Sequence, residues 1–245
     1  MKAGEKIARV GETGRLLTTA SSTALPLGFC SRFLDGLTAS QIKAVLGLAK
    51  QRTISRNQAI QLEGDPANHL YLLVTGLAAF YKPKMDGGRV FLRWLSPGDA
   101  FGLAALAAQP QPYLTTVQAM SEGSLLVWER VSALALLQIS QLRENAYNIA
   151  SDYLNSLADV LVARTSQTAP QRLARMLVES AHQIGQGNCE KIELAITNEQ
   201  LAEMADVSLF TASRCLSEWQ RQGILVKSRG KIRLCAPERL VAKHF

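Results

Sequence analysis

The side chains best spaced for chemistry lie in ITNEQLAEMADVSLFTASRCLSEWQRQGIL, residues 196–225. Ser208, Phe210, Thr211, Ser213 and Arg214 cluster there within two helical turns. The Arg214 guanidinium is a rigid fork of donors that matches guanine O6 and N7 in bidentate fashion. The hydroxyls of Ser208, Thr211 and Ser213 suit phosphate oxygens, and the Phe210 ring suits a thymine methyl. These groups can act together only at the N-terminal end of a helix that enters the major groove.

The local signals supply that helix. Thr197 and Gln200 form a capping box, so a short helix opens after Thr197 and ends near Ala205. Ser208 is an N-cap for a second helix, which reaches about Gln222 and stops at Gly223. The tight ADV turn between them gives helix-turn-helix spacing. ILVKSRGKIRLCAP then reads as strand, turn, strand, a wing carrying Lys227, Arg229, Lys231 and Arg233. The whole chain of 245 residues has a net charge of +7. From Val207 to Phe245, eight Lys or Arg less two Glu give +6, so the excess sits at the reading end. That is the electrostatic footprint of a double-stranded DNA partner.

Other chemistry finds little support. No His/Asp/Ser constellation or paired carboxylates stand out, and the histidines are His69, His182 and His244. An enzyme is therefore not expected, and neither a metal nor a cofactor follows. Cys30, Cys189, Cys215 and Cys235 form no C-x-x-C pair, which excludes a zinc ribbon and an iron–sulfur spacing. Unpaired thiols suit a reducing cytoplasm. Cys215 follows Arg214 directly, so it is either a packed thiol or one whose oxidation would repel DNA phosphates. The apolar runs are too short and interrupted for a membrane span, and the first residues lack the apolar core of a secretory leader.

Several elements must position the reading head. Residues 1–28, rich in Gly, Ser and Thr, read as a mobile extension. Residues 29–130 contain short apolar runs punctuated by glycines, which argues for an antiparallel barrel or sandwich. A helix precedes it at LTASQIKAVLGLA. Residues 131–165 read as a long helix, the dimerisation element. Its a/d-type stripe includes Ile149, Tyr153, Ser156 and Val160, and Leu154, Leu157 and Leu161 form a second edge. Two edges imply a partner helix besides the barrel, and the first stripe is the expected seam of a homodimer. Thr168 and Gln171 open the next helix, to about Ile184, and GQGN follows as a loop. The C-terminal DNA-binding domain spans 166–245.

GDPANHLYLLVTG, LSPGDAFG, the long helix before a hinge and VSLFTASRCLSEWQRQGIL together resemble the CRP/FNR family of bacterial transcription regulators. The resemblance runs from about Phe29 to the C-terminus. It implies an α+β chain: a jelly-roll barrel of the cyclic-nucleotide-binding type, a dimerising helix and a winged helix-turn-helix. It also implies a cytoplasmic homodimer that binds two-fold DNA sites, with RNA polymerase as a further partner.

The departures concern the effector. Leu103 stands where cyclic-AMP-binding members carry a ribose-binding Glu, and Tyr113 and Leu114 where they carry an Arg–Ser or Arg–Ala pair for the phosphate. Leu157 and Ala158 take the place of an adenine-holding Thr–Ser pair. A buried phosphate without a cation or donors is costly. Cyclic AMP control is therefore not expected. Leu103, Leu106, Tyr113, Leu114 and Leu157 would line either a collapsed pocket or one for an apolar or haem-like effector, with His69 the one sensory-half histidine. Phe210 replaces a frequent Glu, so the usual half-site is not expected unchanged. The competing reading is an effector-gated co-regulator that acts through protein contacts with a degenerate reading head.

Overall fold

The computed structural model describes residues 25–188 and 191–244. The expected mobile extension thus lies, for residues 1–24, outside the described residues, as does Cys189.

The chain opens with α1 (Ala39–Gly47), capped by Thr38 and Gln41 as a capping box. Eight strands follow: β1 (Lys50–Ile54), β2 (Ala59–Gln61), β3 (His69–Thr75), β4 (Ala78–Pro83), β5 (Arg89–Leu95), β6 (Ala100–Phe101), β7 (Thr116–Ala119) and β8 (Gly123–Glu129). They form two antiparallel sheets in the orders β1-β8-β3-β6 and β2-β7-β4-β5. The inner faces enclose Ile54, Tyr71, Leu73, Phe80, Phe101, Val117 and Leu125. The sheets are short because glycine turns interrupt the apolar runs. β1, KQRTI, is not one of the apolar runs, and four of its five residues are exposed.

The head of LSPGDAFG is structural. Gly98 has φ +96, and a Cβ there would lie 2.2 Å from the Cys30 carbonyl oxygen. Gly102 has φ +77, and its Cβ would lie 2.7 Å from the His69 carbonyl oxygen. Both glycines are required by backbone that passes too close for a side chain.

The region read as one helix from 131 is two. α2 (Arg130–Leu136) buries Ala133 and Leu136 against the barrel, and α3 (Ser140–Ser166) follows after a break at 137–139. α2 turns away because its short apolar face is spent on the first sheet. α3 is fastened by Asn145, whose Nδ2 donates to the carbonyls of Phe33 (3.1 Å) and Asp35 (2.8 Å).

The C-terminal unit comprises α4 (Ala169–Ile184), β9 (Gln186–Asn188), β10 (Lys191–Leu194), α5 (Asn198–Met204), α6 (Leu209–Arg221), β11 (Leu225–Ser228), β12 (Lys231–Leu234) and α7 (Pro237–His244). GQGN is not a loop: Gln186–Asn188 pairs with β10 and extends the wing to a sheet ordered β11-β12-β10-β9. The unit does not hang free. Tyr81, Phe91 and Trp94 of the barrel pack in one cluster with Leu173, Leu177, Leu201 and Met204. Trp94 Nε1 donates to Ser180 Oγ across this joint at 3.1 Å.

Candidate nucleic-acid interface and effector cavity

α6 forms as its signals require. Ser208 accepts from the Thr211 amide at 3.1 Å, and Gly223 at φ +70 ends the helix. Ala212, Cys215, Leu216 and Trp219 bury one face. Ser208, Phe210 and Arg214 are exposed on the other, with Thr211 and Ser213 half-buried beside them. Cys215 points inward, and burial pushes its thiol pKa up, so it occupies a packing position. The Ser208 and Thr211 hydroxyls, expected to meet phosphates, lie 2.9 Å apart and serve as the cap.

The wing strands pair from Leu225–Leu234 to Ser228–Lys231, which leaves Arg229 exposed at the tip beside Gly230. Lys231 Nζ is instead paired with Glu193 at 2.6 Å, with Arg233 3.7 Å from the same carboxylate. Lys227 turns back to donate to Ser217 Oγ at 2.9 Å. Glu193 on β10 could not be placed opposite the wing from sequence, because β10 itself was not visible.

The turn between α5 and α6 is clamped. Asp206, at φ +51, accepts from Lys84 Nζ of the β4–β5 hairpin at 2.9 Å and from Arg164 Nη1 of α3 at 2.5 Å. Arg172 of α4 donates to the Ala205 and Asp206 carbonyls, each at 3.0 Å. One turn earlier, Arg89 of β5 grips Glu203 through Nε (2.5 Å) and Nη2 (3.1 Å) while lying over the Tyr81 ring. Burial alone pushes the Asp206 carboxyl up, but the Lys84 hydrogen bond and the Arg164 and Arg172 charges outweigh it and hold its pKa below the ordinary value. Burial likewise pushes the Tyr81 hydroxyl up to about 12.

The collapsed pocket does not occur. A cavity of about 380 Å³ lies between the barrel and α3. Leu103, Tyr113, Leu114 and Leu157 line it as expected, whereas Leu106 packs away from it against the α1–α2 side of the barrel. Tyr113 cannot swing in to fill it, because its hydroxyl donates to the His69 carbonyl (2.8 Å) and accepts from the His69 amide (3.0 Å). Sequence reasoning missed Leu92 and Arg93. The β4–β5 register passes from Phe80–Arg93 to Tyr81–Phe91, so Leu92 is an extra residue, a bulge that brings it and Arg93 to the cavity together. Arg93 lies over the Tyr153 ring at 4.9 Å and 3.7 Å from Asp99.

The expected seam is largely occupied within one chain. Ile149 is 8% exposed on the barrel, and Tyr153 is half-buried, its hydroxyl donating to the Ala100 carbonyl at 3.0 Å. Ser156 faces the cavity, and Val160 lies at the hinge near Arg164 and Met176. This stripe meets the chain's own domains. The edge left open is Leu154, Leu157 and Leu161, which are 69%, 43% and 64% exposed.

A barrel with such a cavity, joined by one long helix to a winged helix-turn-helix, is matched by two family models. Residues 51–140 match the cyclic nucleotide-binding domain, and residues 171–243 match the Crp-like helix-turn-helix domain. The chain belongs to the CRP/FNR family of transcription regulators. It is 21% identical over 217 residues to the CRP-like cAMP-activated global transcriptional regulator of Mycobacterium tuberculosis, spanning 86% of this chain and 94% of that one. It is 24% identical over 192 residues to the nitrogen fixation regulation protein FixK of Azorhizobium caulinodans, spanning 77% and 76%. The structure of FixK2 from Bradyrhizobium japonicum superposes with a TM-score of 0.69 at 26% identity, covering 79% of this chain and 96% of that one. As a CRP/FNR regulator the chain has a helix-turn-helix DNA-binding domain, and its relatives are regulators rather than enzymes. Among the described residues no helix is long and apolar enough to cross a membrane, and no cluster of His, Cys, Asp or Glu could hold a metal ion.

Proposed function

We propose that this CRP/FNR regulator acts in the cytoplasm as a homodimer on two-fold DNA sites, with Arg214 reading a guanine in each half. The observation that carries this reading is the exposed Arg214 on the outer face of α6, one turn from the helix tip and flanked by the Arg229 wing. Phosphate contacts from the wing position the head, and Arg214 supplies base recognition. Dimerisation uses the open Leu154–Leu157–Leu161 edge of α3, whose i, i+3, i+7 spacing fits a partner helix. RNA polymerase is the further partner.

Control by cyclic AMP is absent on this reading. Leu103, Leu114 and Leu157 offer no donor for a phosphate. The Tyr113 hydroxyl donates instead to the His69 carbonyl, Gln61 Nε2 to the Thr115 carbonyl and Ser156 to the Asp152 carbonyl, and Arg93 is engaged with Tyr153 and Asp99. An apolar effector suits this lining better than an anion.

The experiment is DNA selection and affinity measurement with the full chain. Arg214→Ala should cost about 1–3 kcal/mol per half-site and relax the preference at one base pair. Arg229→Ala should weaken all sequences alike and reduce the salt slope by about one per half-site, about two for the dimer. Specific affinity unchanged in Arg214→Ala would overturn the assignment.

A further inference from the structure

The tip of α6 carries an apolar feature that neither dimerisation nor phosphate contact uses. Phe210 is 77% exposed and Leu209 48% exposed, at the first two positions of the helix. The hydroxyls around them are engaged: Ser208 and Thr211 bond one another at 2.9 Å, and Ser217, held by Lys227 at 2.9 Å, donates to the Ser213 carbonyl. The tip therefore offers the groove an aromatic face and, one turn on, the Arg214 fork. The exposed Arg214 and Arg229 beside this tip suit a polyanionic partner. In the major groove the apolar group on a base edge is the pyrimidine C5 methyl.

We infer that Phe210 is a specificity-determining residue that reads a C5-methylated pyrimidine, so that this regulator discriminates thymine from uracil and 5-methylcytosine from cytosine. The inference rests on α6 reading DNA as proposed above. Phe210 and Arg214 are four residues apart, about 6 Å along the helix axis. At about 3.4 Å per base pair, the methyl lies within about two base pairs of the guanine that Arg214 reads. Leu209 closes the side of the contact and helps exclude water from the methyl. Seating one methyl against a ring corresponds to about a fourfold gain per half-site, and to about fifteenfold when both halves of a two-fold site carry it.

Full-length wild-type protein, Phe210→Ala and Arg214→Ala are each used to select duplexes from a random-sequence pool, and affinities are then measured by fluorescence anisotropy. The expected wild-type sequence has a thymine within that reach of the guanine. Replacing that thymine by deoxyuridine weakens wild-type binding about fourfold per half-site. Placing cytosine there and methylating its C5 strengthens binding by a similar factor. Phe210→Ala keeps the guanine and binds the thymine and uracil duplexes equally. Because Phe210 is exposed, this variant retains the fold, which circular dichroism checks. Equal wild-type affinity for thymine and uracil, or persisting discrimination in Phe210→Ala, overturns the inference. If Arg214→Ala selects the same sequence as wild type, the reading of α6 fails instead, and a pool from which no duplex is enriched overturns both.

Discussion

Asp206→Asn isolates the charge of the clamp that ties the helix-turn-helix turn to the rest of the molecule. Asn tolerates the left-handed φ of +51 and keeps one acceptor oxygen, for Lys84 or Arg164 but not both, so the turn survives while the carboxylate is lost. The Asp206, Lys84 and Arg164 side chains are 36%, 33% and 25% exposed, so neither pair deserves a buried-pair value. At about 0.5 kcal/mol each, two solvent-screened pairs give about 1 kcal/mol, or about 2–4 °C in melting temperature for a chain of this size. The sign with pH follows from the depressed carboxyl. Its contribution is present above the unfolded value of about 3.9 and is lost as pH falls through the folded one. The gap between wild type and variant should therefore be steady from about pH 5 upward and narrow below about pH 4. It should also shrink in about 1 M salt, where screening acts over about 3 Å. Scanning calorimetry at two salt concentrations measures it, and a cycle with Lys84→Met should show about 0.5 kcal/mol of coupling. Equal melting temperatures in dilute buffer, or a gap indifferent to salt, would refute the account of the clamp.

Leu154→Asp with Leu161→Asp should convert the proposed dimer to a folded monomer in sedimentation at micromolar protein, since both residues are exposed within one chain; a variant that stays dimeric would place the interface elsewhere. Tyr153→Phe should lose about 1 kcal/mol by leaving the Ala100 carbonyl without its donor, read as a lower denaturant midpoint. Titration calorimetry with cyclic AMP and cyclic GMP should show no binding at about millimolar ligand, and a dissociation constant in the micromolar range for either would overturn the reading of Leu103 and Tyr113.

What was legible in the sequence was local. Thr168, Thr197 and Ser208 announce their helices because a cap and its N3 partner are within four residues, and α4 falls where Thr168 and Gln171 place it. The wing follows from a Ser-Arg-Gly turn between apolar strands. Non-local relations escaped. Periodicity showed two apolar edges on α3 but could not say which one the barrel covers, and Tyr153 went to the barrel because Phe80, Arg93 and the Ala100 carbonyl await it there. The cavity stays open because Tyr113 is tied to His69, a partner 44 residues away. The Lys84–Asp206 and Arg89–Glu203 pairs join residues more than 100 positions apart, and no pattern in either segment announces them.

The bulge at Leu92 makes β5 one residue longer than its ladder with β4 requires. Upstream of the bulge, Arg89 and Phe91 face the reading head; at and after it, Leu92 and Arg93 face the cavity. Deleting Leu92 would restore an unbroken ladder with β4, in which Phe91 and Arg93 become neighbours, keep Tyr81 and Phe80 as partners and still face opposite sides. Arg89 would stay on Glu203 and Arg93 on Tyr153, so the cavity would lose only the Leu92 side chain from its wall. The bulge thus gives the strand one residue of slack, and the pairs that join the cavity to the DNA-binding unit do not depend on it.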